Sequence, residues 1–294
     1  MRRFIAAAAL LIAPAVFAHD HGHSRNINIT TDSDDEPITC DQIRIRFDDQ
    51  AAMRAEEELP VASLRSLKIN SERNGGVRVM GWDQPRYAVT VCKAAAEGSM
   101  LGDIHARLSG NEVTIAGPDS GNDWTAFLLV RTPRNASLDV DGTNGPISLH
   151  HVNGTLAVHM QNGPLALKDI SGTVDATTVN GPISLTGGSG NVKITATNGP
   201  LSVKLSGDRW DGTLDATTQN GPLSVKIPRN FNSGVDVTLK GHGPISCKAE
   251  ACRDLKRSWH DDDDDRPRQL SFGSGARNVT LSTVNGPVVV KEAE

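Results

Sequence analysis

A short alternation of apolar and small or polar residues returns five times along the chain, each time directly after the triplet Asn-Gly-Pro. The triplets begin at Asn144, Asn162, Asn180, Asn198 and Asn220, so three intervals are 18 residues and the fourth is 22. Strict period-two alternation predicts a strand with one buried face. The strands predicted after the triplets, which form the first sheet, are residues 147–150, 165–168, 183–186, 201–204 and 223–226.

A second alternating segment lies half a period later in each unit. These segments, which form the second sheet, are residues 156–159, 174–177, 192–195 and 214–217. Two strands in constant phase predict one turn of a coil, since self-similarity at a fixed period is typical of repeat architectures. We therefore expect an all-β protein, a parallel β-helix or β-solenoid of stacked coils of ~18–22 residues with Asn-Gly-Pro turns.

An antiparallel meander is the alternative fold, because Asn-Gly between strands is also the strongest short hairpin signal. The proline favours the solenoid. Proline has no backbone N–H to donate to a neighbouring strand, so it is tolerated chiefly as the first residue of a strand. A proline directly after the glycine therefore suits a corner between strands better than a two-residue hairpin. Stacked coils also explain identical residues at identical phase, since like side chains then stack ~4.8 Å apart.

The alternation also predicts which side chains form the core. In the first sheet the inward residues are Ile147, Leu149, Leu165, Leu167, Ile183, Leu185, Leu201, Val203, Leu223, Val225, Ile245 and Cys247. In the second sheet they are Leu156, Val158, Val174, Ala176, Val192, Ile194, Leu214, Ala216, Val235 and Val237. The asparagines of the triplets should stack at one corner, with Asn285 continuing the stack and His242 replacing asparagine once.

The outward positions of the first sheet are small or basic. The small residues are Ser148, Ala166, Ser184, Ser202, Ser224 and Ser246, and they are flanked by His150, Lys168, Thr186, Lys204, Lys226, Lys248 and, in the last coil, Lys291. Stacked lysines repel one another, which suggests an anionic partner. We take as candidate binding residues Lys168, Lys204, Lys226, Lys248, Ser184, Ser202 and Ser224. The alternative is surface protection against aggregation.

The outward set of the second sheet is acidic. It contains Asp139, Asp141, Asp175, Asp215 and Asp236, with Lys193 interrupting the run. The two faces of the coil should therefore carry opposite charges.

The first 18 residues are typical of a secretory signal peptide. Arg2 and Arg3 precede an apolar run that ends in Val16-Phe17-Ala18, so we expect cleavage after Ala18 and a periplasmic or secreted product. No later stretch approaches the ~18 apolar residues of a membrane span. The formal net charge of -5 is too small to indicate nucleic-acid binding.

One domain follows the predicted signal peptide. Residues 19–37 are a polar and acidic tail, and residues 38–294 are a single β-solenoid domain with an amino-terminal cap at 38–65. The run at 48–59 predicts a short helix that ends before Pro60. An insertion at 247–270 contains five aspartates, 261–265, which favour an exposed loop over a defined calcium site. A final coil ends the chain after Arg277.

The four cysteines fit an oxidising compartment. Three pairings are possible, and we prefer Cys40 with Cys92 and Cys247 with Cys252. Zinc binding is the alternative, although no Cys-x-x-Cys pair is present.

The order of elements before the first triplet carries a family resemblance. Alternating residues at 66–70 precede an Asn74-Gly75 turn, a second strand, Gly81-Trp82-Asp83 and a third strand at 87–91. Followed by Asn-Gly-Pro coils, this order resembles the bacterial putative-adhesin β-strand-repeat family, which includes GIN-type head domains of unknown function. The resemblance covers about residues 64 to 293. It implies an extracytoplasmic parallel β-helix-like domain, often attributed to adhesion or envelope-stress sensing, with no established catalytic residues.

A glycan-cleaving enzyme is a different functional hypothesis, because parallel β-helices include polysaccharide lyases and hydrolases. Such enzymes gather carboxylates, a base or a cation at one place. Asp139, Asp141, Asp175 and His159 come closest, yet they are spread along the repeats as pattern residues. The sequence contains no Gly-x-Ser-x-Gly, Walker-type loop or His-Glu-x-x-His motif. We therefore expect an exported, non-enzymatic, adhesin-like protein whose partner is an anionic glycan, a lipid headgroup or an envelope protein.

The predicted mature amino terminus provides the alternative binding function, a metal-binding or envelope-stress role. A free amine followed by histidine at the third position can hold Cu(II) or Ni(II) in a square plane through the amine, two backbone nitrogens and the imidazole. His19, His21 and His23 are therefore candidate metal ligands. An unstructured, solvated tail is the other interpretation of these residues.

We predict that protein with a verified His19 start binds one equivalent of Cu(II) and that His21→Ala abolishes this binding, because the third-position imidazole is lost. Titration followed by visible absorption and electron paramagnetic resonance measures the complex. His23→Ala is the matched control, since it removes an imidazole from the same tail but not from the third position. Equal affinity of His21→Ala and the parent would remove the hypothesis.

Overall fold

The described chain is built from β-strands, which confirms the predicted all-β class. The computed structural model describes residues 25–31, 39–61, 64–119, 121–252 and 268–293. Short 3-10 segments lie at Cys40–Gln42, Gly98–Asp103 and Glu250–Cys252. Within these residues, no helix has the length and apolar character needed to cross a bilayer. The strands are β1 (Ile27–Thr31), β2 (Ile43–Phe47), β3 (Gln50–Ala51), β4 (Met53–Leu59), β5 (Leu67–Trp82), β6 (Ala88–Ala95), β7 (His105–Ser109), β8 (Glu112–Ala116), β9 (Trp124–Pro133), β10 (Asn135–Asn144), β11 (Ile147–His150), β12 (Asn153–Asn162), β13 (Leu165–Lys168), β14 (Ser171–Asn180), β15 (Ile183–Thr186), β16 (Gly190–Asn198), β17 (Leu201–Lys204), β18 (Gly212–Asn220), β19 (Leu223–Ile227), β20 (Gly234–Leu239), β21 (Ile245–Cys247), β22 (Arg268–Phe272), β23 (Arg277–Asn285) and β24 (Val288–Glu292).

Two rows of strands run along the described chain and share the long strand β5. The first sheet has the order β4-β6-β9-β5-β11-β13-β15-β17-β19-β24-β21. The second sheet has the order β7-β8-β5-β10-β12-β14-β16-β18-β23-β20-β22. Within these two sheets the pairs β4–β6, β6–β9, β7–β8 and β20–β22 are antiparallel and the other pairs are parallel, so the strand system is mixed.

The repeat strands pair in the register that the period predicts. In the first sheet Ile147 lies opposite Leu165, and in the second sheet Leu156 lies opposite Val174. Every predicted inward residue is buried except Ile245 and Cys247, which are half-buried because β21 pairs with β24 alone among the described strands. Burial of these aliphatic side chains supplies the main stabilising free energy, at roughly 25 cal/mol per Å² of apolar surface removed from water.

The triplet asparagines form the predicted stack. After Asn144, the Nδ2 of each asparagine donates to the Oδ1 of the preceding asparagine of the stack, at N–O distances between 2.9 and 3.0 Å. The stack, which we call the asparagine ladder, contains Asn144, Asn162, Asn180, Asn198, Asn220 and Asn285.

Glycine at the second triplet position is required by close packing of the corners. Gly163 has a φ of +137°, and a Cβ there would overlap the carbonyl oxygen of Gly145. Only glycine adopts this backbone conformation without strain and allows the two corners to approach so closely.

The order of the last repeats differs from the predicted one. The strand β24 lies between β19 and β21, so Lys226 is opposite Lys291, and the repeat that contains His242 is displaced towards the end of the strand order. The asparagine ladder gives the physical reason: Asn285 Nδ2 donates to Asn220 Oδ1 at 3.0 Å. Histidine at position 242 cannot continue an amide ladder in the same way.

The predicted helix at 48–59 is wrong, because this segment forms β3 and β4. Asp48 and Asp49, with φ values of 47° and 68°, make the two-residue turn between β2 and β3. The strand β4 then pairs with β6, and Thr90 donates its hydroxyl to Glu58 at 2.7 Å. Tertiary pairing has therefore outweighed the helical propensity of the Ala/Glu-rich run.

Part of the segment assigned to the amino-terminal tail also forms a strand. β1 pairs antiparallel with β2, and Ile29 lies opposite the buried Ile45. Ile27 and Ile29 pack against a small core beside the Cys40–Cys92 bond. The two isoleucines alternate with polar residues, which is the pattern of a strand, but the polar and acidic residues around them favoured the interpretation as a tail.

Both predicted disulfides are present. Cys40 pairs with Cys92 at a Cα–Cα distance of 5.3 Å, and Cys247 pairs with Cys252 at 6.1 Å. Both distances lie within the range that disulfide geometry allows. Because all four sulfurs are in disulfides, the alternative of zinc binding by these thiols is wrong.

We predict that Asn220→Ala lowers the free energy of unfolding by about 1–2 kcal/mol, because it removes one donated and one accepted side-chain hydrogen bond. Urea denaturation followed by circular dichroism measures the change. Gln219→Ala, at the exposed neighbouring position, is the control and should have little effect. Equal destabilisation by the two variants would show that the ladder contributes nothing specific.

Candidate ligand-binding face

The outward side of the first sheet carries a row of basic residues, the lysine row, which Thr186 interrupts once. Lys248 belongs to it because its backbone N–H donates to Val290 O at 2.8 Å, which places it beside Lys291. Lys168 is half-buried, and the other lysines of the row are exposed. The row runs in the spatial order Lys168, Thr186, Lys204, Lys226, Lys291 and Lys248.

The exposed lysines of the row have no carboxylate partner within the described residues. The nearest acidic neighbours in sequence are bound elsewhere. Arg229 Nε lies 2.6 Å from Glu292 Oε1 and 3.2 Å from Glu250 Oε2. The hydrogen bond and charge of Glu292, with the charge of Glu250, raise the pKa of the Arg229 guanidinium. Glu250 and Glu292 therefore neutralise Arg229 instead of the lysine row.

A row of hydroxyl groups, the serine row, lies beside the lysine row. Ser184, Ser202 and Ser224 occupy the same position on β15, β17 and β19. Val289 lies between Ser224 and Ser246 in this row, because β24 lies between β19 and β21. The predicted serine stripe is thus continuous at the three candidate serines and interrupted beyond them. The lysine row and the serine row together form the Ser/Lys face.

A groove of about 530 Å³ lies at the amino-terminal end of the Ser/Lys face. The strand β1 contributes Ile29 to the lining, and β5 contributes Arg78, which lies opposite Ser148 in the register. The polar lining is Arg78, Ser148, His150, Lys168, Ser184 and Thr186. The apolar lining includes Ile29, Phe127, Pro146, Pro164 and Leu167.

The groove combines basic side chains, hydroxyl donors and apolar surface. Arg78 and His150 are each only 4% exposed, so the surrounding protein holds their side chains in place. His150 lies opposite Lys168 on the neighbouring strand. Such a combination suits an anionic group attached to a less polar body, since charged and hydroxyl donors bind the anion while apolar walls exclude water.

Sequence reasoning placed Lys168, Ser184 and Thr186 on this face and missed Arg78 and Ile29. The alternation Val77-Arg78-Val79 shows that Arg78 points outward. Its neighbour Ser148 is not predictable from the repeat, because the spacing between the two residues is not a multiple of the 18-residue period.

The outward side of the second sheet carries the predicted acidic residues. Asp175, Lys193 and Asp215 follow one another in a row that begins at Asp139 and ends at Asp236. The register thus places the lysine row and the aspartate row on different sheets, with Lys193 interrupting the acidic set as predicted.

Three outward residues of the second sheet, two aspartates and a histidine, come close together. One ligand atom each from Asp139, Asp141 and His159 lies within 4.8 Å of the others. Asp141 and His159 are directly opposite on β10 and β12. Sequence reasoning treated these residues as spread along the repeats, although the 18-residue spacing from 141 to 159 would have paired them.

Lys68 lies beside this acidic group and forms two ion pairs. Its Nζ is 3.6 Å from Glu112 Oε1 and 3.6 Å from Asp141 Oδ2. The negative charges of Glu112, Asp141 and Asp139 raise the pKa of the Lys68 ammonium above its ordinary value. Lys68 is therefore held in its charged form at neutral pH.

Three predicted features lie outside the described residues. They are the signal peptide with its cleavage after Ala18, the histidine motif His19, His21 and His23, and the acidic run 261–265. The cleavage, the metal binding by the histidine motif and the exposed acidic loop stay sequence-based predictions.

Comparisons with known proteins give structural neighbours only. No family model and no curated protein sequence matches the chain. A putative cell adhesion protein from Clostridium sporogenes matches with 12% identity and a TM-score of 0.33, covering 82% of this chain and 100% of that chain. A putative adhesin from Bacteroides fragilis and a putative lipid binding protein from Parabacteroides distasonis each match with 10% identity and a TM-score of 0.29, covering 82% of this chain and 97% of theirs. The resemblance to GIN-type head domains stays a prediction.

We predict that Glu112→Gln lowers the pKa of Lys68, because Glu112 is the largest cause of the raised value. Since the folded-state pKa is raised, the stabilisation from these ion pairs is present at neutral pH and is lost as the pH rises through that pKa. Titration of the Lys68 side-chain resonances by nuclear magnetic resonance measures the shift. Glu97→Gln, an exposed charge outside these ion pairs, is the control. An unchanged Lys68 pKa in Glu112→Gln would contradict the assignment.

Proposed function

We propose that the protein is an exported, non-enzymatic, adhesin-like β-solenoid that binds an anionic component of the cell envelope through the Ser/Lys face. The observation that supports this most directly is the register of the first sheet, which aligns the lysine row on adjacent strands. An acidic glycan polymer is the preferred ligand, and an anionic lipid headgroup is the second candidate.

The parallel pairing of the repeats supports the solenoid. Between the triplets at 144 and 198 both sheets use an offset of 18 residues between neighbouring strands, as in the pairs Ile147–Leu165 and Leu156–Val174, and the next offset is 22 residues. Over these repeats the chain therefore advances by one strand in each sheet with every repeat. One coil per repeat turns a single residue type at one phase of the sequence into a linear array on the surface.

The electrostatics of the lysine row favour an anionic ligand. Neighbouring strands are ~4.8 Å apart, and two ammonium groups at that distance repel by roughly 1 kcal/mol in water. The exposed lysines of the row have no carboxylate that offsets this repulsion within the described part of the chain. A bound polyanion replaces the repulsion with attraction, and salt should weaken this attraction because the lysines are exposed.

The length of the row favours an extended ligand. From Lys168 to Lys248 the row crosses six strands, which is about 24 Å at the usual strand spacing. A single headgroup would contact only part of that length. The groove at the β1 end has the size of a small-molecule pocket and can hold one terminal unit of the ligand.

The two disulfides support export. Structural disulfides form and persist in oxidising compartments such as the periplasm and the extracellular space. Both bonds lie in the described chain, one beside the amino-terminal small sheet and one at the opposite end of the first sheet. An oxidising compartment outside the cytoplasm agrees with the signal peptide that the sequence predicts.

We predict that the double variant Lys204→Gln/Lys226→Gln binds polygalacturonate about tenfold more weakly than the parent, which corresponds to about 1.4 kcal/mol. Both side chains are exposed in the centre of the lysine row, so their loss should remove charge without disturbing the core. Biolayer interferometry at low and high salt measures the affinity. High salt should weaken parental binding further.

The matched control is Lys193→Gln/Lys240→Gln, which removes the same charge from exposed positions on the second sheet and at the end of β20. A second arm compares phosphatidylglycerol vesicles with phosphatidylcholine vesicles. Binding to the phosphatidylglycerol vesicles alone, sensitive to the row variant, would identify the headgroup as the ligand. Equal binding by both double variants and the parent, or no binding in either arm, would reduce the lysine row to surface protection.

A further inference from the structure

A group of two carboxylates and one imidazole lies on the second sheet, away from the Ser/Lys face. Asp139 and Asp141 alternate with the buried Leu138 and Val140 along β10, so both carboxylates point outward. His159 on β12 is directly opposite Asp141. The two carboxylates are half-buried and the imidazole is exposed, so an ion can approach from solvent.

The distances within this group are close to those of a metal site. One atom from each side chain lies within 4.8 Å of the other two. Two ligand atoms at about 2.1 Å from one zinc ion are separated by up to ~4.2 Å. Small rotations of surface side chains would therefore close the group around an ion.

A fourth residue orients the imidazole. His159 Nδ1 lies 2.9 Å from Thr177 Oγ1, and Thr177 is the residue opposite His159 on β14. With Nδ1–H donating to the hydroxyl, Nε2 carries the lone pair that a metal requires. Metal-binding histidines commonly use such a partner to fix the ring and its tautomer.

The Lys68 ammonium competes with a metal ion for Asp141, and its surroundings allow the metal ion to displace it. Its ammonium is 3.6 Å from Asp141 and equally far from Glu112. When Asp141 binds a metal ion, Glu112 still provides Lys68 with an anionic partner. Lys68 should therefore weaken metal binding without preventing it.

We infer that Asp139, Asp141 and His159 bind one divalent transition-metal ion such as Zn²⁺. Two carboxylates and an imidazole suit zinc and its neighbours in the transition series, whereas calcium prefers ligands that are all oxygen. Three protein ligands leave a coordination position for water or for a ligand of the metal. The inference does not depend on the Ser/Lys face, because the two groups of residues lie on different sheets.

Isothermal titration with ZnCl₂ tests the site in the full chain. The parent for this experiment carries His19→Ala, His21→Ala and His23→Ala, so that the amino-terminal histidines do not contribute. We expect one equivalent of Zn²⁺ to bind and His159→Ala to weaken the affinity at least about tenfold. Thr177→Val should weaken it by about tenfold as well, since outer partners of metal ligands commonly matter to that extent.

Three controls make the result specific. Asp215→Asn removes the same charge from the same outward row at a distant strand and should leave the affinity unchanged. Lys68→Met should strengthen Zn²⁺ binding, and CaCl₂ should bind more weakly than ZnCl₂. Circular dichroism of each variant verifies the fold. The absence of Zn²⁺ binding by the parent, or equal affinity of His159→Ala and the parent, would overturn the inference and leave Asp141 as an ion-pair partner of Lys68.

Discussion

Backbone hydrogen bonding between strands one repeat apart is the constraint on which the rest of this structure depends. It requires that each corner sit directly on the corner before it, so a Cβ at Gly163 would overlap Gly145. The hydrogen bonds of the asparagine ladder then run from strand to strand, as the backbone hydrogen bonds do, and pair the side-chain amides with one another. Once this register is set, alternation decides which side chains are buried. The aliphatic core and the outward rows are two results of one periodicity.

The same register explains why different chemistry occurs on the two sheets. Residues at one phase of the repeat lie opposite their counterparts, so Lys204 lies opposite Lys226 on the first sheet. On the second sheet Asp175 and Asp215 lie on either side of Lys193. Departures from the repeat create the local features. Where β5 joins the stack, Arg78 enters the groove, and Lys68 comes beside Asp141. The groove and the acidic group therefore both lie where the irregular amino-terminal strands meet the first regular repeats.

Much of the repeat region could be predicted from the sequence because its determinants are local and repeated. Leu165 and Val174 were assigned to the core from alternation alone, and both are buried. The strand β4 could not be predicted, because the Ala/Glu-rich segment forms a strand only through its pairing with β6. The pairing of Arg78 with Ser148 could not be predicted either, since it depends on how β5 pairs with β11 and not on the period of the repeat. Local patterns do not encode which of two compatible edges a strand will occupy.

The position of β23 and β24 between β18 and β19 on one side and β20 and β21 on the other has a consequence for the order in which the two sheets can be completed. During synthesis, β20 and β21 emerge before the strands that separate them from β18 and β19. The edges of β18 and β19 therefore lack their native partners until residues up to 292 are available, across a sequence separation of 65 residues at the asparagine ladder. Unpaired edges are prone to pair with other chains. Strands β23 and β24 are thus internal strands of the repeat array, and premature termination would expose the interior of that array instead of shortening its end.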